Sequence, residues 1–318
     1  MKDVRIAVTG GAGFIGFYLC QRLSELGAIV KIYDNLSASY SSKNAEDLVQ
    51  KNLKFILGDI TNFETLESGI GDCEIIFHLA AQSNVSYSMI KRAEDVKEST
   101  LGTLNVLEVA RKSGSRVIFA STSAVYGNAE KTPTPEDHPI RPISFYGLSK
   151  CTAEDCCQFY RNVYGLEIVI LRLFNVYGPR GHGVIPDFLS KLKKTTQQLE
   201  ILGTGEQSRD FIYISDVVDV LLMCAQSQRA AGQVYNHGSG TTTSVAILAN
   251  MILDLLGLQG ITKLTFKGGQ AWEGDAKLTH ADISRIVRDL NWQPLVKLDE
   301  GLRSMIPQQE LRTRIETK

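Results

Sequence analysis

The chain has 318 residues, with 34 basic and 35 acidic side chains and a formal net charge of −1. A balance so close to zero argues against nucleic acid or an anionic membrane as a partner. At roughly 150 residues per domain the length predicts about two domains. A hydrophobic content of 43% can fill a sizeable core, which excludes disorder or a coiled coil as descriptions of the whole chain.

The sequence carries no signal for a membrane or for secretion. Its best candidate for a spanning helix, residues 217–225, is interrupted by Asp219 and is far shorter than the roughly 20 apolar residues required. The first apolar run, residues 4–8, is too short for a signal peptide. The six cysteines form no CxxC pair and no ligand-like group with the five histidines. We therefore expect a cytoplasmic protein with reduced thiols, no metal and no membrane partner.

Short apolar runs rich in β-branched residues recur along the first half of the chain. They occupy residues 4–8, 29–33, 53–57, 75–79, 117–119 and 168–171. Segments with helical periodicity, such as residues 93–112, separate most of them. This alternation predicts a doubly wound α/β domain, in which helices cover both faces of a parallel sheet and the ligand lies at the carboxyl ends of the strands.

Beyond Phe174 the pattern loosens into segments that contain Gly and Pro. We predict a Rossmann domain over residues 1–178, to which segment 209–237 returns, and a smaller α/β lobe over residues 179–318 that caps the substrate. The chain has no repeat or Pro-rich linker, so the two parts should pack closely. The polar end, residues 308–318, is predicted to fray.

A GxxGxxG motif follows the first predicted strand and opens a helix. Gly10 permits a tight turn, Gly13 lets backbone amides approach a pyrophosphate, and Gly16 allows close packing of the helix. The helix begins with Phe14 and Ile15, and a helix N-terminus favours an anion. These five residues are predicted to bind the pyrophosphate of a dinucleotide cofactor.

Asp34 lies at the end of the second predicted strand, 18 residues after Gly16. Its carboxylate can accept both hydroxyls of an adenosine ribose and would repel a 2′-phosphate, which favours NAD over NADP. Asn35 and Ser37 can add hydrogen bonds to the same ribose, and Asp59 with Ile60 can flank the adenine. The competing interpretation is that these loop residues act only as turn caps.

The end of the fourth predicted strand carries small residues. Leu79, Ala80, Ala81 and Gln82 would let a cofactor lie close over the backbone. For His78, which precedes them, a role in packing is favoured over catalysis.

Tyr146 and Lys150 lie four residues apart in a predicted helix, residues 144–164, and so share one face. A neighbouring ammonium and a nicotinamide cation would both stabilise a phenolate, whose pKa is ordinarily about 10. Ser121, Thr122 and Ser123 end the fifth predicted strand, where hydroxyl groups can bind a substrate oxygen.

These residues resemble the short-chain dehydrogenase/reductase superfamily, specifically its extended branch of sugar-nucleotide epimerases and dehydratases. The resemblance covers nearly the whole chain. It rests on residues 9–16, 34–37, 58–59, 78–82, 121–127, 146–150, 173–180, 205–211 and 274–275.

The resemblance implies a role for each matching residue. Thr122, Tyr146 and Lys150 would form the catalytic triad, with Tyr146 and Lys150 also touching NAD. The cofactor set would further include Ser121 and Phe174, and the substrate set would be Thr122, Ser123, Tyr146, Asn175, Arg209 and Asp275. The substrate would be a nucleoside-diphosphate sugar, and the helices at residues 93–112 and 144–164 would form a homodimer.

The expected reaction is inversion at C4 of the sugar. Tyr146 as phenolate would take the proton of the 4-hydroxyl while hydride moves to NAD, and the 4-keto sugar would turn over before hydride returns. The simplest pair is UDP-glucose and UDP-galactose. Alternatives are a UDP-N-acetylhexosamine or UDP-uronic acid 4-epimerase, an NAD(P)-dependent sugar or ketone reductase, and a non-catalytic NAD-binding protein.

Ser123 and Ala124 distinguish this reaction from its relatives. Dehydratases of the family carry Asp-Glu at these positions, and the decarboxylases carry Glu where Ala124 stands, because their chemistry needs an acid or a carboxylate base. The sequence disfavours both activities.

Other positions depart from the family or leave two interpretations open. Trp272 replaces a family arginine and would pack either at the nucleotide or between the lobes, and Ser99 replaces a family asparagine. Arg180 and His182 lie in a Gly-rich loop that would either line the substrate pocket or be solvated.

Overall fold

A computed structural model of the protein describes residues 1–306. The predicted frayed end, residues 308–318, lies outside this range. None of the described helices is long and apolar enough to cross a membrane.

The strands of the described chain are short, as the apolar runs predicted. They are β1 (Arg5–Thr9), β2 (Ile29–Asp34), β3 (Lys54–Leu57), β4 (Ile75–His78), β5 (Arg116–Thr122), β6 (Ile168–Leu173), β7 (Asn175–Tyr177), β8 (Gln198–Ile201), β9 (Ser208–Arg209), β10 (Phe211–Tyr213), β11 (Val234–His237), β12 (Thr243–Ser244) and β13 (Lys263–Phe266).

Helices fill most of the connections between these strands. They are α1 (Phe14–Glu25), α2 (Ser41–Val49), α3 (Phe63–Ile70), α4 (Val85–Ile90), α5 (Arg92–Val96), α6 (Gly102–Ser113), α7 (Phe145–Tyr164), α8 (Val184–Lys194), α9 (Ile214–Gln226), α10 (Val245–Leu255), α11 (Ser284–Leu290) and α12 (Leu298–Met305). A π-helical turn covers Lys97–Leu101, and 3-10 turns cover Ser123–Tyr126 and Gln228–Ala230.

The central sheet has seven strands in the order β11-β6-β5-β4-β1-β2-β3, all parallel. This confirms the predicted doubly wound fold and adds β11, which the apolar runs did not predict. The strand order reverses between β1 and β4. In such sheets the loops that follow the two central strands, here β1 and β4, run to opposite sides. A crevice that can bind a ligand therefore forms at the carboxyl ends of these two strands.

Apolar residues cover both faces of the sheet, because crossover helices lie on each side. One core contains residues of α1 and α9, and the other contains residues of α3, α6 and α7. All seven residues of β5 are buried. The strand that carries the predicted catalytic threonine is therefore held in the interior along its whole length.

Both of the helices predicted by range are present in the structure. Ser144 begins α7 by accepting a hydrogen bond from Gly147 N at 3.1 Å, and Gly165 ends it in the left-handed region at φ 70°. This agrees with the predicted helix at residues 144–164. The predicted helix at residues 93–112 is also present, as the unbroken helical run of α5, the π turn and α6.

We propose the division into two lobes on the basis of where the elements pack. Segment 209–237 contributes β11 to the central sheet and α9 to the core against α1. A separate apolar core joins α8, β8, α10 and α12. Most of this second core lies beyond residue 178, where the sequence predicted the smaller lobe, and it also includes Tyr177 of β7 and Phe211 of β10.

Candidate active site

The glycine motif lies in the crevice where the strand order reverses. Gly10 has φ +67°, and a Cβ atom there would lie 2.7 Å from Ala80 N. A Cβ atom at Gly16 would lie 2.3 Å from Gly10 O. Because no side chain fits at either position, the start of α1 packs directly on the loop. Gly13 precedes α1 without a side-chain cap, so the first amides of α1, at Phe14 and Ile15, belong to an uncapped helix N-terminus.

Asp34 is fixed at the end of β2 beside this loop. Its Oδ2 accepts a hydrogen bond from Ala12 N at 3.0 Å, and its Oδ1 accepts one from Leu36 N at 2.8 Å. Burial raises the pKa of Asp34, while these two hydrogen bonds lower it. Each carboxylate oxygen has capacity for one further hydrogen bond. The carboxylate is thus fixed beside the glycine loop with acceptor capacity left over, and its contact with an adenosine ribose stays a prediction.

The residues predicted to surround the adenosine form a local network. Asn35 Nδ2 donates to Asp59 Oδ2 at 3.2 Å, and Ser37 N donates to Asn35 Oδ1 at 3.1 Å. Ile60 is buried at 6% exposure, and its Cδ1 would lie 2.3 Å from a Cβ atom at Gly102. These residues thus make the turn contacts of the competing interpretation, and their contact with a cofactor stays a prediction.

Replacement of Asp34 by Asn should weaken NAD binding about 10- to 100-fold, because a hydrogen bond to a charged group contributes about 1.5–3 kcal/mol. Discrimination against NADP should fall as well, since the negative charge that repels a 2′-phosphate is lost. Calorimetric titration with both dinucleotides measures this. The exposed Asp254→Asn is the matched control, and equal NAD affinity in the two variants would contradict the assignment.

His78 is a packing residue, as predicted. Its Nδ1 lies 2.8 Å from Thr9 Oγ1 and its Nε2 lies 3.0 Å from Thr103 Oγ1. Burial lowers the pKa of His78 to about 3, so the ring is neutral near pH 7. The residues that follow it, Leu79, Ala80, Ala81 and Gln82, are all partly exposed, and the backbone of Ala80 faces Gly10.

The predicted catalytic residues meet where β5 ends. Thr122 Oγ1 accepts a hydrogen bond from Ala124 N at 3.1 Å, which fixes the turn that contains Ser123. Lys150 Nζ donates to Ala120 O at 2.8 Å and lies 4.7 Å from the centre of the Phe119 ring. Tyr146 precedes Lys150 by one helical turn, and its hydroxyl is hydrogen-bonded to Thr122. The structure therefore brings Thr122, Tyr146 and Lys150 together.

Burial has the largest effect on the pKa values of Tyr146 and Lys150. It raises the pKa of Tyr146 to about 12, although the hydrogen bond with Thr122 acts in the opposite direction. It lowers the pKa of Lys150 to about 8. Because the Lys150 ammonium donates to the main chain of β5, its effect on the phenol stays a prediction for the protein with NAD bound.

A buried polar network, which the sequence interpretation missed, lies behind the catalytic residues. Arg172 Nε donates to Glu154 Oε1 at 3.0 Å, and Arg172 Nη2 donates to Glu154 Oε2 at 2.7 Å. Arg172 Nη1 also donates to Tyr126 OH at 2.8 Å. The sequence signal for this network was the position of Glu154, which follows Lys150 by four residues on α7 and therefore lies on the same face of the helix.

Two residues predicted to touch the cofactor are engaged elsewhere. Ser121 Oγ donates to Glu154 Oε1, so the hydroxyl belongs to the network behind the triad. Phe174 is 5% exposed and packs in one cluster with Val125 and Tyr126. Their side chains support the end of β5, and their contact with the cofactor stays a prediction.

Three further residues of the predicted substrate set are Asn175 on β7, Arg209 on β9 and Asp275 in the loop after β13. Arg209 Nη2 and Asp275 Oδ1 form a salt bridge at 2.6 Å between two nearly buried side chains. Asn175 Oδ1 accepts a hydrogen bond from Thr279 Oγ1 at 3.0 Å. Asp275 therefore contacts Arg209 directly and can orient its guanidinium. Trp272, which is 38% exposed, lies in the loop that leads to Asp275.

Arg180 and His182 are both exposed, as the solvated-loop interpretation predicted, and both also contact neighbouring residues. Arg180 Nη1 donates to Asn44 Oδ1 at 2.6 Å, and its guanidinium lies 4.2 Å from the centre of the Phe17 ring. The His182 ring stacks on Tyr40 at 6.2 Å. These contacts link their loop to α1, to α2 and to Tyr40, which directly precedes α2.

Known proteins match this chain over nearly its whole length. The model of the GDP-mannose 4,6 dehydratase family matches residues 7–305. A putative UDP-glucose 4-epimerase of Methanocaldococcus jannaschii is 36% identical over 309 residues, which cover 95% of this chain and 97% of the relative.

Two solved structures share the fold over nearly the whole length of both chains. One is the UDP-glucose 4-epimerase of Thermotoga maritima with UDP-glucose, with a TM-score of 0.89 and 33% identity, covering 98% of this chain and 100% of that chain. The other is the UDP-glucuronic acid 4-epimerase of Bacillus cereus with UDP-glucuronic acid and NAD, with a TM-score of 0.89, 29% identity and the same coverage.

The residues of the crevice fit a dinucleotide that has free ribose hydroxyls. A Cβ atom at Gly10 would clash with Ala80, and a Cβ atom at Gly16 would clash with Gly10. The Asp34 carboxylate accepts hydrogen bonds from the backbone of Ala12, within this loop, and of Leu36. With these features and a family model that spans nearly the whole chain, the protein belongs to the GDP-mannose 4,6 dehydratase family of extended short-chain dehydrogenases/reductases.

Proposed function

We propose that the protein is an NAD-dependent epimerase that inverts C4 of a nucleoside-diphosphate sugar, with UDP-glucose and UDP-galactose as the substrate pair. The observation that carries the proposal is the meeting of Thr122, Tyr146 and Lys150 at the carboxyl end of β5, with Ser123 and Ala124 beside them. NAD and UDP-sugars in the related structures support the choice of cofactor and substrate.

The mechanism assigns one task to each residue of the triad. When bound, NAD supplies a hydride acceptor and donor and a positive charge near the phenol. Tyr146 removes the proton of the 4-hydroxyl and later returns it to the oxygen of the 4-keto sugar. Thr122, which is hydrogen-bonded to the phenol, holds the same sugar oxygen. The Lys150 ammonium favours the phenolate through its charge.

The acid-base groups near the triad favour epimerisation over elimination or decarboxylation. Those reactions need an acid or a carboxylate next to the threonine. The turn that follows Thr122 offers a hydroxyl and a methyl group, from Ser123 and Ala124. Glu154, the nearest carboxylate along α7, is 2% exposed and bound on both oxygens by Arg172. Epimerisation needs only proton transfer at O4 and room for the sugar to turn.

The diphosphate would bind at the opposite end of the crevice. Arg209 supplies a positive charge there, held by Asp275, and Asn175 supplies a side-chain amide. A diphosphate bound at these residues would tether the sugar, so that its keto form can rotate without leaving. This arrangement is equally compatible with N-acetylated and uronic acid sugars, and the choice of glucose and galactose rests on the relatives.

Incubation with a panel of UDP-, dTDP-, GDP- and CDP-sugars, followed by chromatographic separation of C4 epimers, tests the proposal. We expect UDP-glucose and UDP-galactose to interconvert with no net change in NADH absorbance. Interconversion of only uronic or N-acetylated sugars would keep the reaction and change the substrate. Stoichiometric formation or loss of NADH would indicate a reductase, and cofactor binding without turnover on any sugar would indicate a non-catalytic protein. Either result would overturn the proposal.

We also propose that the protein is a homodimer. The π turn and α7 expose apolar side chains on neighbouring surfaces: Leu101 is 40% exposed, Leu148 46%, Phe159 54% and Val163 56%. A second copy that presented the same face would bury them. By light scattering we expect the mass of a dimer for the wild type and that of a monomer for Leu101→Glu. Leu295→Glu, at a position that is 72% exposed outside this face, should stay dimeric, and a monomeric wild type would contradict the proposal.

A cytoplasmic location is part of the same proposal. All six cysteines are free thiols, and Cys20, Cys73, Cys157 and Cys224 are buried. Thiols stay reduced in the cytoplasm.

A further inference from the structure

A buried carboxylate, which no step of the proposed reaction uses, lies beside the catalytic helix. Asp95 of α5 has 0% exposure. Its Oδ2 accepts a hydrogen bond from Ser149 Oγ, and Ser149 directly precedes Lys150 in α7. Its Oδ1 has no hydrogen-bond partner among residues 1–306. A half-satisfied carboxylate in the interior is costly unless a positive charge lies nearby.

Lys150, which follows Ser149 in α7, is a buried cation on the helix that Asp95 contacts. Burial raises the pKa of Asp95, whereas the hydrogen bond from Ser149 and the charge of Lys150 lower it. Burial lowers the pKa of Lys150, and the charge of Asp95 acts against that shift. Each group therefore favours the charged form of the other across the interface between α5 and α7.

The other acidic groups that face Lys150 from its own helix carry no free negative charge. Glu154 is bound on both oxygens by Arg172, which neutralises it. Cys157 is a thiol, because burial raises its pKa well above the ordinary value. Tyr146 is a neutral phenol near pH 7, since burial raises its pKa to about 12.

The strands beneath Lys150 also supply no counter-charge. From β5, the ammonium meets the carbonyl oxygen of Ala120 and the ring of Phe119. From β4 it faces His78, which is neutral because burial lowers its pKa to about 3. Within the described chain, Asp95 is therefore the group that supplies an uncompensated negative charge to Lys150.

We propose that Asp95 is a positioning residue, the buried counter-ion that keeps the Lys150 ammonium charged beside Tyr146. This inference rests on the role of Tyr146 and Lys150 in the proposed function. Asp95 also opposes ionisation of the Tyr146 phenol, because a negative charge disfavours a phenolate. Removal of its charge should consequently make both groups lose their protons at lower pH.

Asp95→Asn tests this, because the amide keeps the shape and the oxygen that accepts from Ser149. In the NAD-loaded protein, the Cε signal of Lys150, assigned by its loss in Lys150→Arg, reports the ammonium directly in a 13C NMR titration. We expect the pKa of Lys150 to fall by about 1 unit. The alkaline limb of kcat/KM for C4 epimerisation should move to lower pH by the same amount, since the ammonium is lost as pH rises through its pKa.

Two controls separate charge from packing. Glu98→Gln removes a partly exposed carboxylate from the adjacent π turn and should leave the Lys150 titration unchanged. Ser149→Thr changes the packing beside Asp95 but keeps a hydroxyl that can donate to its carboxylate, so the titration should again stay near that of the wild type. If Asp95→Asn does not fold, Asp95→Ser removes the same charge with a smaller side chain.

An unchanged Lys150 titration in a folded Asp95 variant would overturn the inference, whatever its activity. A lower kcat with the acidic and alkaline limbs of the pH profile at their wild-type positions would indicate a merely structural role for Asp95. That result would also overturn the inference. The NMR titration needs no substrate. The proposed function can therefore fail on the sugar panel while the coupling of Asp95 to Lys150 is still measured.

Discussion

Tyr146→Phe should lower the rate of C4 epimerisation about 10²- to 10⁴-fold, the range that positioned proton transfer contributes to catalysis. The variant keeps the ring and loses only the hydroxyl that removes the proton from O4. Because the hydroxyl is hydrogen-bonded to Thr122, its loss also frees the threonine that holds the sugar oxygen. Initial rates with UDP-galactose, with the bound NAD content measured in parallel, give the result.

Tyr160→Phe is the matched control for this experiment. Tyr160 lies on the same helix, but its hydroxyl donates to Glu108 Oε2 at 3.3 Å, away from the triad. We expect this variant to retain the wild-type rate. If Tyr146→Phe also retained it while binding NAD normally, Tyr146 would not be the base.

Arg172→Met should lower the free energy of unfolding by about 3–5 kcal/mol, the cost of breaking a buried ion pair by removing one partner. Arg172 and Glu154 are 4% and 2% exposed, and their carboxylate-guanidinium contact is bidentate. Without Arg172, the Glu154 carboxylate stays buried with Ser121 as a weak neutral partner. Urea titration followed by circular dichroism measures the change.

Two further variants show whether the uncompensated charge causes this loss. Lys112→Met breaks the exposed pair with Glu67, which should contribute at most about 1 kcal/mol. Glu154→Leu combined with Arg172→Met removes both charges and should recover much of the lost stability, since two apolar groups can replace a buried pair. A loss in Arg172→Met as small as that in Lys112→Met would contradict the proposed importance of the network.

Much of the fold was predictable because its signals are local. Six strands of the sheet follow from apolar runs, and Ser144 and Gly165 end α7 through contacts within one turn of helix. Segment 209–237 was predicted to return to this domain, but β11 within it was not predicted as a strand, because its sequence, Val-Tyr-Asn-His, is not an apolar run. It becomes a strand by pairing with β6, where Val234 lies opposite Ile170, and such long-range pairing leaves no local pattern.

The residues of the candidate site also fall into those with a local sequence signal and those that depend on distant partners. Gly10, Gly16 and Asp34 were predictable because a turn, a close approach and a strand end each require a particular residue type. The contacts of Arg180 were not predictable, since its partners Asn44 and Asp47 lie more than 130 residues away in sequence. The hydroxyl of Ser121 was assigned to the cofactor, but the structure engages it with Glu154.

The sequence by itself determined the alternation of strands and helices, the dinucleotide loop and the pairing of Tyr146 with Lys150 on one helix. Each depends on residues within one or two turns of each other. Only the tertiary structure decided which buried charges form ion pairs: Glu154 with Arg172, and Asp275 with Arg209. The reason is that burial makes an unpaired charge costly, and the partner that relieves this cost is selected by packing between distant segments.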